Sequence, residues 1–439
     1  MFSLTKSIIA VGGILLGTSV NVALADNPII QTLYSTDPAP VVYNNTVYLF
    51  TGHDETGARN YDMRDWRLYS STDMVNWRDH GMILSVKNFS WASKDAWAAQ
   101  VIERDGKFYY YVTLTKNGGG YAIGVAVADK ITGPYKDALG RQLLSNNGID
   151  PTVWIDDDGQ AYMYWGHNGP AYYVKLNRDM ISYSGSIVGT QVQNFIEGPW
   201  LHKRNGLWYL TYAGSGASNE DIKYATSNSP TGPWQYRGQI MAPQGRSFTN
   251  HAGIIDYKNS SYLFYHNGAL PGGGTYSRSV CVEKFTYNAD GTIPKMTMTD
   301  AGAPQIGSLD PYQQVEAETI AFSSGLTTSA KSDGTGIYVT SISQGDYIKV
   351  KGVDFGTGAS SVDLRVGAAS SGGKIELRVG SQSGTVIATC NIDATGGAQT
   401  WKTVSCPVTG ATGKQDLFFR FQGSNYNFDW WQFKKAASA

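Results

Sequence analysis

The chain has 439 residues, which is long enough for more than one domain. Its formal net charge of −1 gives no basic footprint, which argues against nucleic acid as a partner. Aromatic residues make up 13% of it, beside 51 Gly, a mixture that suits strands and tight turns with rings free to stack on sugar faces, although most rings are expected to pack between sheets.

The first 25 residues carry Lys6, an apolar run over 8–16 and Ala23-Leu24-Ala25 before Asp26. That is the pattern of a secretory signal with an A-x-A-like cleavage site. The run is too short and too rich in glycine for a membrane span. The mature chain is expected to begin near Asp26 and to be exported, with no membrane partner.

A repeat follows. Asp37-Pro38-Ala39-Pro40 leads through Asn44-Asn45 to Val47-Tyr48-Leu49-Phe50. Trp97-Ala98-Ala99-Gln100 leads through Asp105-Gly106 to Phe108-Tyr109-Tyr110-Tyr111. Asp150-Pro151-Thr152-Val153 leads through Asp158-Gly159 to Tyr162-Met163-Tyr164-Trp165. Glu197-Gly198-Pro199-Trp200 leads through Asn205-Gly206 to Leu207-Trp208-Tyr209-Leu210. His251-Ala252-Gly253 leads through Lys258-Asn259 to Tyr262-Leu263-Phe264-Tyr265. Each copy reads as strand, tight turn, strand, and each is followed by a further pair of strand-like runs. The period is roughly 47–60 residues, that of a four-stranded propeller blade. Five copies predict an all-β, five-bladed β-propeller over residues 27–305. No stretch has the long apolar period of an α/β protein.

Residues 306–311 read as a short linker. Residues 312–435 shift to Gly, Ser, Thr and Val with short alternating strands, which predicts a β-sandwich. Of the three cysteines, Cys390 and Cys406 flank the 394–397 turn in this region and are an expected disulfide in an exported protein, leaving Cys281 as a buried thiol. The alternative is two reduced, buried thiols. No Cys/His group has zinc-site spacing.

Inner strands of a propeller converge on its axis, so equivalent positions in successive copies face one funnel. Asp37, Asp150 and Glu197 occupy such positions, and His251 opens the fifth copy. Glu197 is the lone carboxylate of an apolar and aromatic stretch, a setting that favours a protonated acid. Cleaving a glycosidic bond requires a carboxylic acid to protonate the leaving oxygen and a carboxylate to activate water; when the two stand far enough apart for that water, the anomeric configuration inverts. A third acid can orient the first and keep its proton on by like-charge repulsion.

The motifs around Asp37, Gly148-Ile149-Asp150 and Ile196-Glu197-Gly198-Pro199 resemble those of glycoside hydrolase family 43. Asn250-His251, Tyr265-His266-Asn267-Gly268 and Arg278-Ser279-Val280-Cys281 resemble its arabinoxylan arabinofuranohydrolases more closely. That resemblance implies a secreted, inverting enzyme that removes α-L-arabinofuranosyl side chains from arabinoxylan. Asp37 would be the general base, Glu197 the general acid and Asp150 the residue that tunes the acid. Arg278 would contact the sugar. His251 would stand near a calcium ion in the channel, the alternative being a core histidine. Trp97, Trp165 and Phe248 are the candidate walls of the sugar subsite, with Trp200 as an alternative to Trp165. β-Xylosidase or arabinanase activity, or a sugar-binding propeller without catalysis, are the competing readings. One chain is expected to act alone.

The C-terminal region, from Val315-Glu316-Ala317-Glu318 to Asn427-Phe428-Asp429-Trp430, resembles carbohydrate-binding module family 6. The resemblance implies a structural calcium on Glu316, Glu318 and Asp429, oxygen ligands that suit that ion. It also implies a sugar cleft formed by Trp401, Tyr347 and Asn427. Ser341 departs from the family, which usually has a ring there.

Overall fold

The computed structural model describes residues 26–146, 148–215, 219–243 and 246–437. The expected export signal lies outside the described residues. Among these, no helix is long and apolar enough to cross a membrane, and the architecture is all-β.

Residues 35–285 form five consecutive antiparallel sheets. Sheet 1 runs Ser35–Tyr43, Thr46–Asp54, Met63–Ser71 and Trp77–Ser85. Sheet 2 begins with Ala92–Arg104, sheet 3 with Thr152–Ile155, sheet 4 with Phe195–Arg204 and sheet 5 with Gly253–Tyr257. The expected hairpins are present: Val41 pairs with Tyr48, Val101 with Tyr110, Val153 with Met163, Leu201 with Leu210 and Ile254 with Leu263. The first strands touch in a ring, each meeting the next and the fifth meeting the first. Sheet 5 has three strands where four were expected. The segment at residues 27–29 lies along its third strand, with Ile29 N–H donating to Val280 O (2.9 Å) and Val282 N–H to Asn27 Oδ1 (3.0 Å).

Between the sheets the aromatic rings pack edge-on or tilted. Phe50 and Trp66 of sheet 1 stand 5.2 and 5.9 Å from Tyr110 of sheet 2, and Tyr162 of sheet 3 stands 6.2 Å from Trp208 of sheet 4. Trp66, Trp77, Trp165 and Trp208 are fully buried. Burying a large apolar side chain contributes about 1.5–3 kcal/mol, so these contacts between sheets are a major part of what holds the ring closed.

The C-terminal region is a sandwich of two antiparallel sheets. The Cys390–Cys406 disulfide joins Thr385–Ile392 of one sheet to Gly397–Pro407 of the other. Cys281 is free and buried. Loop closure over 16 residues should stabilise the module by about 3 kcal/mol. Thiol titration of the denatured, unreduced mature protein is expected to count one thiol; three would contradict the bond.

The two regions are not joined by a free tether. Thr319–Ile320 pairs with Arg78 and Trp77, adding a fifth strand to sheet 1. Asp79 N–H donates to Glu318 O (3.2 Å), Thr328 Oγ1–H donates to Asp79 Oδ2 (2.7 Å), and Asn76 exchanges hydrogen bonds with the Lys351 backbone (2.9 and 2.8 Å). Within the expected linker, Ile306 N–H donates to Asp73 O and Leu309 N–H to Gly352 O. The linker is thus held from both sides. The outer strand of a sheet is an open edge that another strand can satisfy, and Thr319–Ile320 takes that place on sheet 1.

Candidate active site

Asp37, Asp150 and Glu197 line one pocket of about 260 Å³. Its walls also hold Tyr61, Met63, Trp97, Tyr121, His167, Thr249, His251 and Arg278. A larger cavity of about 380 Å³ lies further along the same five strands, past Val41, Val101, Val153, Trp200 and Ile254. Its lysine and arginine, Lys203 and Arg204, are paired with Asp156, Asp157 and Asp256. The convergent acids select the smaller pocket as the site of chemistry.

The strands break register where the acids stand. The ladder of sheet 1 shifts between Thr36 and Ala39, and that of sheet 4 shifts on both sides of Glu197. Asp37 and Asp150 adopt φ of 49° and 64°. Bulges re-aim side chains, and strained non-glycine backbone persists where surroundings over-determine it. Gly198, at φ 58°, answers the Glu-Gly-Pro motif: a Cβ there would lie 3.0 Å from His251 Nδ1. Its N–H donates to Asp150 Oδ2 (3.0 Å), so Asp150 holds the peptide next to Glu197.

The acids are placed in opposed environments. Burial alone would raise Asp37, but Arg278, His251, His266 and the Thr36 hydroxyl outweigh it and hold the carboxyl below its usual range. Arg278 Nη1 lies 3.3 Å from Asp37 Oδ1, and Thr36 Oγ1–H donates to the same oxygen (3.0 Å). Burial pushes Asp150 well up, and the facing Glu197 and Asp37 push it further against the Gly198 N–H. His266 is driven down to about 3 by burial and by Arg278. As a neutral ring it accepts the Asp37 N–H at Nδ1 (3.3 Å) and donates from Nε2 to Thr249 O (3.0 Å).

Asp54, Glu220 and Tyr61 are among the groups not singled out in the sequence. Asp54 grips Arg278 through Nε (2.9 Å) and Nη2 (2.8 Å) and also accepts its backbone N–H (2.8 Å). Asp54 and Arg278 are 224 positions apart. Glu220 begins the third strand of sheet 4 and accepts the Asn250 N–H (3.1 Å); burial and Glu197 push it up to about 9. Tyr61 lies under Arg278 at 5.0 Å and is pushed up to about 12, chiefly by burial.

Trp97 lines the pocket, with its Nε1–H on Tyr61 O (2.9 Å) and its ring 5.0 Å from Tyr121. Trp165 is not. Its ring is fully buried, stacked on Tyr172 at 6.1 Å, with Nε1–H given to Asn146 Oδ1 (2.8 Å). Strand parity at Trp165 points the ring into the packing around sheet 3 and away from the axis. Trp200 is buried too and lines the other cavity. Phe248 is 49% exposed and stands outside the pocket walls, next to Thr249.

A model of glycosyl hydrolases family 43 matches residues 25–293. Over 93% of this chain and 92% of the other, the sequence is 34% identical to an arabinoxylan arabinofuranohydrolase of Bacillus subtilis. The chain belongs to glycosyl hydrolase family 43. A crystal structure of a family 43 arabinoxylan arabinofuranohydrolase from Bacillus subtilis, in complex with cellotetraose, superposes with a TM-score of 0.83 at 34% identity, covering 94% of this chain and 99% of that one. A xylosidase/arabinosidase of Bacteroides ovatus is 32% identical over 59% of this chain and 94% of its own. A model of carbohydrate binding module family 6 matches residues 316–435.

In this family 43 enzyme the module cleft differs from expectation. Tyr347 lies in the other sheet from Trp401, stacked on Phe322 at 6.1 Å. The ring beside Trp401 is Tyr338, edge-on at 5.3 Å. Tyr338 shares the Trp401 sheet, a pairing that strand spacing does not encode. Asn427 is buried, giving Nδ2–H to Ala398 O (2.8 Å) and accepting Thr340 Oγ1–H (2.8 Å).

The expected metal ligands do not assemble either. Asp429 is paired with Lys331 Nζ (2.6 Å) and Arg365 Nε (3.3 Å), and Glu316 and Glu318 lie 3.6 and 3.9 Å from Arg78. These carboxylates face the chain's own cations. Glu318 Oε2 is the oxygen of this set that is buried with no hydrogen bond and no ion pair, and so the one a hard cation would satisfy. His251 is a buried, neutral ring in the pocket, pushed down by burial against the pull of Asp37 and Glu197. Among the described residues, the group at metal-ligand distances is His53, Glu55 and Asp65, and Asp65 is already bonded to Arg67 (2.8 Å).

Proposed function

We propose that the protein is an exported, single-chain, inverting hydrolase that removes α-L-arabinofuranosyl side chains from arabinoxylan. The five sheets are read as the blades of one propeller over residues 27–305, supported by the closed ring of contacts among their first strands. The observation that carries the mechanism is the opposed placement of Asp37 and Asp150 in one pocket with Glu197. A carboxyl held charged suits the base, and one kept protonated leaves the base role to Asp37 alone. Asp37, held charged by Arg278, takes a proton from the attacking water. Glu197 gives a proton to the leaving oxygen. Asp150 keeps its own proton and, through the Gly198 N–H, fixes the peptide on which Glu197 rides. Trp97, Tyr61 and Tyr121 form the aromatic walls, and Arg278, anchored by Asp54, reaches the sugar.

The debranching specificity is supported by the Bacillus subtilis relative, whose likeness extends through the module. Calcium near His251 is supported by the neutral imidazole that feels the charges of Asp37 and Glu197; the ion would order that ring and its waters. The competing reading, xylosidase action, takes its support from the Bacteroides relative. The purified mature enzyme is expected to cleave an aryl α-L-arabinofuranoside well above an aryl β-D-xyloside. The reverse order would favour the xylosidase reading, and inactivity on both would favour a binding protein.

A further inference from the structure

His167 was not part of the sequence reading, yet it is the one side chain among the described residues that hydrogen-bonds the Glu197 carboxyl. Its Nδ1 lies 2.8 Å from Glu197 Oε2, and its Nε2 lies 2.7 Å from the Asn168 side-chain amide: Nδ2–H donates to Nε2 of the neutral ring, and the amide turned about Cβ–Cγ offers its oxygen to the Nε2–H of the imidazolium. The loop that carries it is built in. Gly166 N–H donates to Ile149 O (3.0 Å), and Asn168 N–H donates to Ile196 O (2.8 Å). His167 therefore hangs between the residue preceding Asp150 and the residue preceding Glu197. Gly166 permits this approach, since a Cβ there would meet the Phe195 ring at 2.7 Å. The His167 side chain is 37% exposed and that of Glu197 17%, so the imidazole links the acid to solvent.

We infer that His167 is a positioning residue that shares the catalytic proton with Glu197 and returns it after each turnover. The inference rests on Glu197 being the general acid. In the reaction, the Glu197 O–H proton passes to the glycosidic oxygen, which keeps the electron pair of the broken C–O bond. Water adds to the anomeric carbon and loses its proton to Asp37. The emptied Glu197 carboxylate takes the Nδ1 proton of the His167 imidazolium. The ring regains a proton from solvent and Asp37 releases one, so the cycle closes on one water consumed. An inverting enzyme needs this return step, because its acid and base end each turnover with their protons exchanged.

The other titratable and charged groups of the pocket are Asp37, Asp150, Tyr61, His251 and Arg278, with Glu220 behind Asn250. The bond to Glu197 draws His167 upward from its ordinary value, against its partial burial. His167 can therefore keep a proton in reserve beside Glu197 at a pH where a lone imidazole would have lost it.

The test is His167→Gln, which keeps an amide donor, beside His167→Ala, with kcat/KM followed against pH on two substrates. On arabinoxylan, the basic limb of His167→Gln is expected to move down by about one to two pH units, since ordinary Glu and His values lie about two units apart. On an aryl arabinofuranoside with a good leaving group, which needs little protonation, that limb should stay in place. The acidic limb, set by Asp37, should stay on both. A uniform loss at every pH, with thermal midpoint unchanged, would reduce His167 to a structural contact and overturn the inference. So would an equal shift on both substrates. Glu197→Ala measured alongside keeps the two readings apart: if it discriminates between leaving groups and His167→Gln leaves the limb unmoved, only this inference fails.

Discussion

Glu197→Ala is expected to lose roughly 10²–10⁴-fold in kcat on arabinoxylan, the usual size of a general-acid contribution. The natural leaving group is a sugar hydroxyl, which departs poorly unless protonated. An aryl arabinofuranoside with an acidic phenol needs little help, so the same variant should retain far more of its rate there. The structure supports this division. Glu197 projects from a doubly bulged strand into the pocket, and its neighbour Gly198 is tied to Asp150. Loss of the same size on both substrates would remove Glu197 from the acid role.

Asp37→Ala is expected to be severe on both substrates, about 10²–10⁴-fold or more, because water must lose its proton whatever group departs. Asp37 is placed for this task in a way no other acid of the pocket is. Arg278 and Thr36 bond its Oδ1, and His266 takes its backbone N–H. Asp37→Asn keeps the shape and removes the basic oxygen, and should be as inactive as Asp37→Ala. A thermal midpoint close to the parent's would confirm that the loss is chemical. Selective loss on the polymer alone would instead mark Asp37 as a substrate contact.

The three acids were legible because the repeat itself marks them. Each stands a similar, not identical, distance before a turn and an aromatic strand, and each first strand lines the ring. What the repeat could not show is how the strands depart from regular pairing at these points. The bulge at Thr36–Ala39 and the positive φ of Asp37 and Asp150 decide where the side chains go. Asp54, Tyr61, Glu220 and His167 escaped because they stand on second or third strands or on loops between strands, where the motif says nothing. Trp165 misled for the opposite reason: it ends an aromatic strand in the right copy, but it faces the packing between sheets. In the module, the family resemblance pointed to Tyr347 and Trp401 as ring positions, yet strand alternation cannot say which of two sheets a strand joins. Tyr338 takes the place expected of Tyr347 because its strand shares a sheet with Trp401.

The most direct test of the account is proton NMR of the first minutes of arabinoxylan hydrolysis by the mature enzyme. A pocket that admits one terminal sugar, with Asp37 as base and Glu197 as acid, predicts free arabinose whose first anomer is inverted, and a xylan chain of unchanged length. Early xylo-oligosaccharides would show a backbone-cutting groove instead. A first anomer of retained configuration would require a covalent nucleophile in the pocket, and Asp37 could then no longer be the base.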